Sequence, residues 1–177
     1  MKSKKMILII AGIAAVCIAG GILGVRWYQE HKQPVAPFTS INLNMGQMEL
    51  IKMEPALKEK EGYTDYLEAP KEYDGYAGTL SVSPKRFVEW NSAETSHRDT
   101  QIYYSYTSLL DYLEERFGDS YSMNTWDPVL SYDRGENISC IWDLGTTIVN
   151  CSLNQKDGKE GGVTIHFVVK KAVPQTY

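Results

Sequence analysis

Histidine and cysteine are scarce in this chain, with three of each among 177 residues. His31, His97 and His166 stand in unrelated contexts, and no Cys-x-x-Cys spacing links Cys17, Cys140 and Cys151. Tetrahedral metal sites and thioredoxin-like redox pairs need such groups at close, regular spacing, so neither is expected. The usual nucleophile signatures are missing too. There is no Gly-x-Ser-x-Gly elbow, no Ser-x-x-Lys with companion motifs, no phosphate loop and no dinucleotide fingerprint. The residues therefore point to no catalytic constellation and no cofactor, and the chain reads as a non-enzyme.

Positive charge is also in short supply. Lys and Arg number 18 against 22 Asp and Glu, a formal net charge of −4. Lys2, Lys4, Lys5 and Arg26 precede every acidic residue, so removing those four positive charges leaves −8 on the remainder. Such a surface repels nucleic acid, anionic lipid and wall polyanions. No nucleic-acid partner is expected.

What the chain does have is one long apolar run, Met6 to Val25, with no charged residue in it. A helix of about 20 residues rises about 30 Å, the hydrocarbon thickness of a bilayer. Lysines precede the run, which orients a short cytoplasmic tail (1–5) before a transmembrane anchor (6–25) by the positive-inside bias. Everything from about Trp27 onward then lies outside the cell membrane of a single-pass protein. Two alternatives stay open. Cys17 follows Ala14-Ala15-Val16 and could carry lipid, or cleavage could follow Cys17-Ile18-Ala19, although Ile22, Leu23 and Val25 still lie beyond that site. Gly20 and Gly24 make a GxxxG spacing, which is common in membrane helices without marking a dimer.

Residues 26–40, with Pro34 and Pro37, read as an extended tether. The remaining stretch, 41–172, is long enough for one domain with its own core. A short helix is expected from an Asn44–Gln47 capping box to about Met53. Tyr63–Leu67, Gly75–Val82 and Arg86–Trp90 read as strands, punctuated by Pro70, Asp74-Gly75 and Ser83-Pro84. Ile102, Tyr106, Leu109, Leu110, Leu113 and Phe117 then recur on one face of a 3.6-residue period, between Asp99 or Thr100 and Gly118. Ser122–Trp126, Asn137–Leu144, Thr147–Leu153 and Val163–Lys170 read as four more strands. Helices segregated from strands predict an α+β fold, with two helices packed on one face of an antiparallel sheet; an arrangement as two degenerate helix-plus-strands units stays open.

Gly145-Thr146 fits a two-residue hairpin turn. That register sets Leu144 opposite Thr147, Trp142 opposite Val149 and Cys140 opposite Cys151, with apolar residues on one side of both strands. Counting from the turn puts the cysteines at a hydrogen-bonded site, where Cα atoms lie about 5.5 Å apart and within bridging range. The Cys140–Cys151 pair is thus a candidate disulfide. The alternative is two small buried thiols packed together.

His97 is expected in an exposed loop and His166 on a strand, pointing away from Ile165 and Phe167. Glu114 with Glu115, and Asp133 with Glu136, could in principle do acid–base work on a sugar. The first pair falls on the polar side of the strong helix and the second in a turn, so solvated charge is the simpler account. Asn137-Ile138-Ser139 and Asn150-Cys151-Ser152 match the glycosylation triplet by chance. Asp157-Gly158 reads as a hairpin turn.

The anchor, the segment Leu43-Asn44-Met45-Gly46-Gln47-Met48-Glu49-Leu50-Ile51, the helix Leu109–Gly118 and the Trp-bearing hairpin Trp142–Ile148 together resemble exported α+β proteins of Gram-positive bacteria, membrane-anchored or lipid-linked and mostly without assigned function. In outline the unit is also similar to the helix-plus-sheet repeats of β-lactamase inhibitor proteins and small outer-membrane assembly lipoproteins. That resemblance implies binding rather than catalysis and transfers no functional residue.

The leading expectation is an extracytoplasmic domain that binds a protein or a cell-wall component. Its contact surface is sought on the sheet's outward face, with Tyr104 and Tyr112 on the far side of the strong helix. A ligand-sensing accessory subunit of a transporter or signalling complex is the alternative, and a wall-active enzyme the remoter one.

Overall fold

The computed structural model describes residues 36–172 except 120, 157, 159 and 160. The chain divides at Gln33/Pro34, and everything described belongs to the second unit. The apolar run 6–25, its tail and Cys17 lie outside the described residues. Among those residues no helix is long and apolar enough to cross a membrane.

The fold is α+β. Among the described residues three helices, α1 (Gln47–Met53), α2 (Gln101–Phe117) and α3 (Pro128–Arg134), accompany nine strands. The strands are β1 (Lys58–Glu59), β2 (Leu67–Tyr73), β3 (Tyr76–Ser83), β4 (Phe87–Ser92), β5 (Thr95–Ser96), β6 (Ser122–Met123), β7 (Ile138–Asp143), β8 (Thr147–Gln155) and β9 (Gly162–Lys171). They form one antiparallel sheet in the order β1-β2-β3-β4-β9-β8-β7-β6, with β5 also paired to β9. Two meanders are thus joined by the last strand, which returns to pair with β4. Both ends of the sheet carry two-residue strands, and such short edges offer little template to another chain.

The period-2 alternation of the strands puts most of the large apolar side chains on one face. One row runs Ala69, Leu80, Trp90, Phe167, Cys151, Cys140 across six strands. The row beside it runs Leu67, Val82, Val88, Val169, Val149, Trp142. All twelve are buried. Onto this face α2 lays Ile102, Tyr106, Leu109, Leu110 and Leu113, as its periodicity predicts. Each fully buried leucine contributes about 2 kcal/mol of transfer free energy. Phe38 closes one end of the core, its ring 5.3 Å from Tyr73, 5.2 Å from Trp90 and 5.8 Å from Phe167.

Several boundaries depart from the sequence reading. The first long strand is Leu67–Tyr73 rather than 63–67, and Pro70 lies inside it. Pro70 pairs with Thr79 on β3, while β1 reaches only Glu68 and Leu67 on the other side. The missing N–H therefore costs no ladder bond, because β2 is itself an edge at that point. At α1 the N-cap is Gly46, not Asn44, and Glu49 Oε2 accepts from the Gly46 N–H at 3.0 Å. The expected strand 122–126 shrinks to Ser122–Met123, and a third helix follows where a turn was expected. Asp127 Oδ1 caps it by accepting from Leu130 N at 2.9 Å, Pro128 occupies its first turn, and Gly135 ends it at φ 77°. Proline early and glycine late are the ordinary punctuation of a helix.

Candidate functional site

The two surfaces named together in the sequence reading lie on opposite sides of the sheet. Tyr104 and Tyr112 belong to α2, which covers the apolar face, whereas the outward face carries the alternate residues of the strands. No described helix buries a side chain against that outward face. Its central row is Glu68, Ser81, Glu89, Val168, Asn150, Ile141. Glu89 is held by two donors, Asn91 Nδ2 at 2.9 Å and His166 Nε2 at 3.0 Å. The His166 bond, then that of Asn91, lowers the Glu89 pKa against the opposing effect of burial. His166 thus sits where the strand alternation puts it, hydrogen-bonded to Glu89 across the outward face.

At one corner of the sheet Lys60 bonds Glu68 at 2.8 Å and stands 4.8 Å from the centre of the Tyr66 ring. Phe87 meets that ring edge-on, with centroids 5.6 Å apart. Each member of this corner has a partner within the domain.

The helical side is different. His97 is not a free loop residue. Its ring stacks on Tyr132 at 4.6 Å, and its Nε2–H donates to Tyr132 O at 2.9 Å. A carbonyl only accepts, which fixes the proton on Nε2. Tyr132 hydroxyl returns the contact to His97 O at 3.1 Å and reaches Asp99 O at 3.4 Å. Tyr103 lies 5.0 Å from Tyr132, and Tyr104 lies 6.1 Å from Tyr103. Four rings thus run in series across the junction of α2 and α3, from the half-buried His97 to Tyr104, which is 60% exposed. Tyr76 hydroxyl donates to Asp99 Oδ2 at 2.8 Å, tying β3 to the start of α2. Burial, then the Asp99 bond, pushes the Tyr76 phenol above its ordinary pKa.

At the start of α3 stand Trp126, 90% exposed, and Val129, 58% exposed. The other described tryptophans, Trp90 and Trp142, are fully buried, and each indole N–H is satisfied, by Lys71 O at 3.0 Å and Gly118 O at 2.9 Å. Val129 and Asp133 project from one side of α3, a turn apart. Burial, then the charges of the Asp127 and Asp133 carboxylates, raises the Tyr103 pKa. Trp126 and Val129 are thus exposed at the start of α3, while Tyr104 on α2 ends the ring row at the surface. The sequence reading ended a strand at Trp126 and so missed its exposure; the signal was Asp-Pro directly after it, a helix start that leaves the preceding residue outside.

The remaining residues singled out in the sequence are dispersed. Cys140 and Cys151 are Cα partners as the hairpin register requires. Both are buried free thiols, and Tyr106 hydroxyl lies 3.7 Å from the Cys140 sulfur. Burial raises the pKa of both. Tyr112 is half-buried and accepts from Arg116 Nη1 at 3.2 Å. Glu114 accepts from the Tyr121 hydroxyl, whose pKa is pushed up to about 12 chiefly by that bond. Glu136 accepts from Ser131 Oγ at 3.0 Å. Among the described residues no group of three or more His, Cys, Asp and Glu could hold a metal ion. No protein-family model matches this chain, and neither curated proteins nor solved structures provide a match.

Proposed function

We propose that this chain is a single-pass membrane protein whose extracytoplasmic α+β domain binds a protein partner through the α2–α3 junction. The anchor is residues 6–25, the tether 26–40, and the N-terminus is cytoplasmic. One observation carries the binding reading: Trp126 stands exposed while Trp90 and Trp142 are fully buried. Leaving a large aromatic surface in water forgoes the stabilisation that burial gives. Tryptophan and tyrosine are the residues that most often anchor protein interfaces, because they bring wide contact area with few rotors to order.

A second apolar stripe on α1, Met48 with Ile51 and Met53, is also exposed. Its flexible side chains make a weaker anchor than fixed rings. A ligand-sensing accessory role in a transporter or signalling complex draws on the same domain and would place the partner in the membrane. The test is in-cell crosslinking of the tagged full-length chain beside a chain that ends at the tether. An envelope protein captured by the first and not by the second supports the reading. Identical captures from both would sink it.

A further inference from the structure

We propose that one end of the sheet, formed by the β3–β4 turn and the close of β9, rests on an anionic membrane surface through Lys85, Arg86, Lys170 and Lys171. The inference rests on the anchor in the reading above and adds a lipid contact separate from the protein contact at α2–α3. In sequence these cations are two distant pairs, Lys85-Arg86 and Lys170-Lys171, within an acidic chain. The fold joins them. Phe87 and Lys170 are directly opposed on β4 and β9, and the Lys171 N–H donates to Arg86 O at 3.0 Å. Val88 and Val169 turn inward to the core, so Phe87 and Lys170 share the outward face. All four cations are exposed. The ion pairs among the described residues, Lys60–Glu68, Lys71–Glu54 and His166–Glu89, include none of them. Asp143, the carboxylate in the same cross-strand row, is turned to its own hairpin, where it accepts from Gly145 N at 2.9 Å.

The neighbours of these cations select lipid as the occupant. A ring row leads away from them: Phe87 lies 5.6 Å from Tyr66, and Tyr66 lies 5.8 Å from Tyr63, which is 61% exposed. Tyrosine beside lysine and arginine is the combination that seats in a headgroup layer, rings in the interface and cations on the phosphates. Glu61 and Asp65 flank Tyr63 in sequence, which confines the positive charge to the turn and β9. Lys85 sits at φ 60°, a left-handed conformation that glycine adopts more readily. A lysine there carries charge into the turn against the backbone preference. Reach is satisfied as well. Ala36 is buried, and the residues 26–35 before it span at most about 35 Å from the end of the proposed anchor. Lipid within that range meets the domain at high effective concentration, so a few weak charge contacts suffice.

The test uses the full-length chain in nanodiscs of phosphatidylcholine, with or without phosphatidylglycerol, carrying a tracer lipid with a nitroxide on its headgroup. A coumarin amino acid replaces Thr146, whose carbonyl accepts from the Ala172 N–H next to Lys171. In a second protein it replaces Gln101, at the start of α2. The nitroxide is expected to quench position 146 in phosphatidylglycerol discs, far less in neutral discs, and not to quench position 101. Lys170→Gln with Lys171→Gln is expected to weaken docking roughly tenfold or more. Lys85→Gly is expected to weaken docking roughly fivefold while stability stays unchanged or rises, since glycine fits that φ better. A lysine with a merely structural role would not separate those two readouts. Equal quenching in neutral and anionic discs, equal quenching at 146 and 101, or variants that dock like the parent overturn the inference. Soluble polyglutamate that perturbs position 146 when anionic discs do not assigns the cations to an acidic protein segment and overturns it too. A chain that enters the discs with position 146 unquenched removes only the lipid contact. A chain that does not enter them removes the anchor, and this inference with it.

Discussion

His97 and Tyr132 hold each other three times: by a ring stack at 4.6 Å, by His97 Nε2–H to Tyr132 O at 2.9 Å, and by Tyr132 hydroxyl to His97 O at 3.1 Å. The contact closes the loop after β5 onto α3, a separation of 35 residues along the chain. It is the fixed point behind the exposed aromatic surface. Tyr132→Phe removes the hydroxyl and leaves two carbonyls without that donor, so a loss of about 1 kcal/mol in unfolding free energy is expected. Chemical denaturation measures it. His97→Ala removes both the stack and a bond, and is expected to cost more than Tyr132→Phe; an equal or smaller loss would show the clamp to be decorative.

Glu89 gives the domain a pH dependence of known sign. Its folded pKa lies below the ordinary carboxylate value, chiefly through the His166 bond. A carboxylate of that kind stabilises the fold fully above its unfolded pKa of about 4.3, and the contribution fades as pH falls through the lower folded value. Glu89→Gln is therefore expected to flatten the stability profile on the acid side and to change it little near neutrality beyond a constant offset. Parallel profiles for the two proteins from pH 6 to pH 3 would refute this.

Gly78 lies where β3 passes the Trp90 indole. A Cβ built there would stand 2.5 Å from Asn91 O and 2.6 Å from Trp90 Nε1. Backbone and a fully buried ring cannot both give way, so Gly78→Ala is expected to destabilise by about 1–3 kcal/mol. Thermal unfolding checks this, and a midpoint unchanged from the parent would mean that the sheet relaxes freely.

The outside location proposed for the domain bears on Cys140 and Cys151. Directly opposed thiols in adjacent strands can be bridged where an envelope oxidant accepts their two electrons and two protons. A loop that short adds less than about 3 kcal/mol. Peptide mapping of protein isolated without reductant is expected to return a linked Cys140–Cys151 peptide. Complete alkylation of both thiols after unfolding would place the pair in the reduced, packed state.

Long-range order in this fold was legible wherever a short-range signal repeated. The six apolar positions of α2 recur often enough to fix both helix and face. The β7–β8 register followed from one glycine turn plus alternation on two strands. The misses share a physical cause. At Pro70 a residue that usually breaks strands sits on a stretch of β2 with no outer neighbour, a fact of topology rather than of sequence. In α3 seven residues provide three exposed and two buried side chains, too few for a period to emerge, so Trp126 was read as the end of a strand. His97 found its partner 35 residues away on that same unrecognised helix. The aromatic surface was hidden for the same reason, since it exists only once α3 is placed against α2.

The most direct test of the account is site-specific photocrosslinking in cells, with a photoreactive amino acid at Val129 in one protein and at Thr79 in another. Thr79 is exposed on the outward face of the sheet, away from the helices. The account predicts a discrete crosslinked species from position 129, lost on Trp126→Ala, and none from position 79. A partner captured at 79 and not at 129 would contradict it and move the contact to the open face of the sheet.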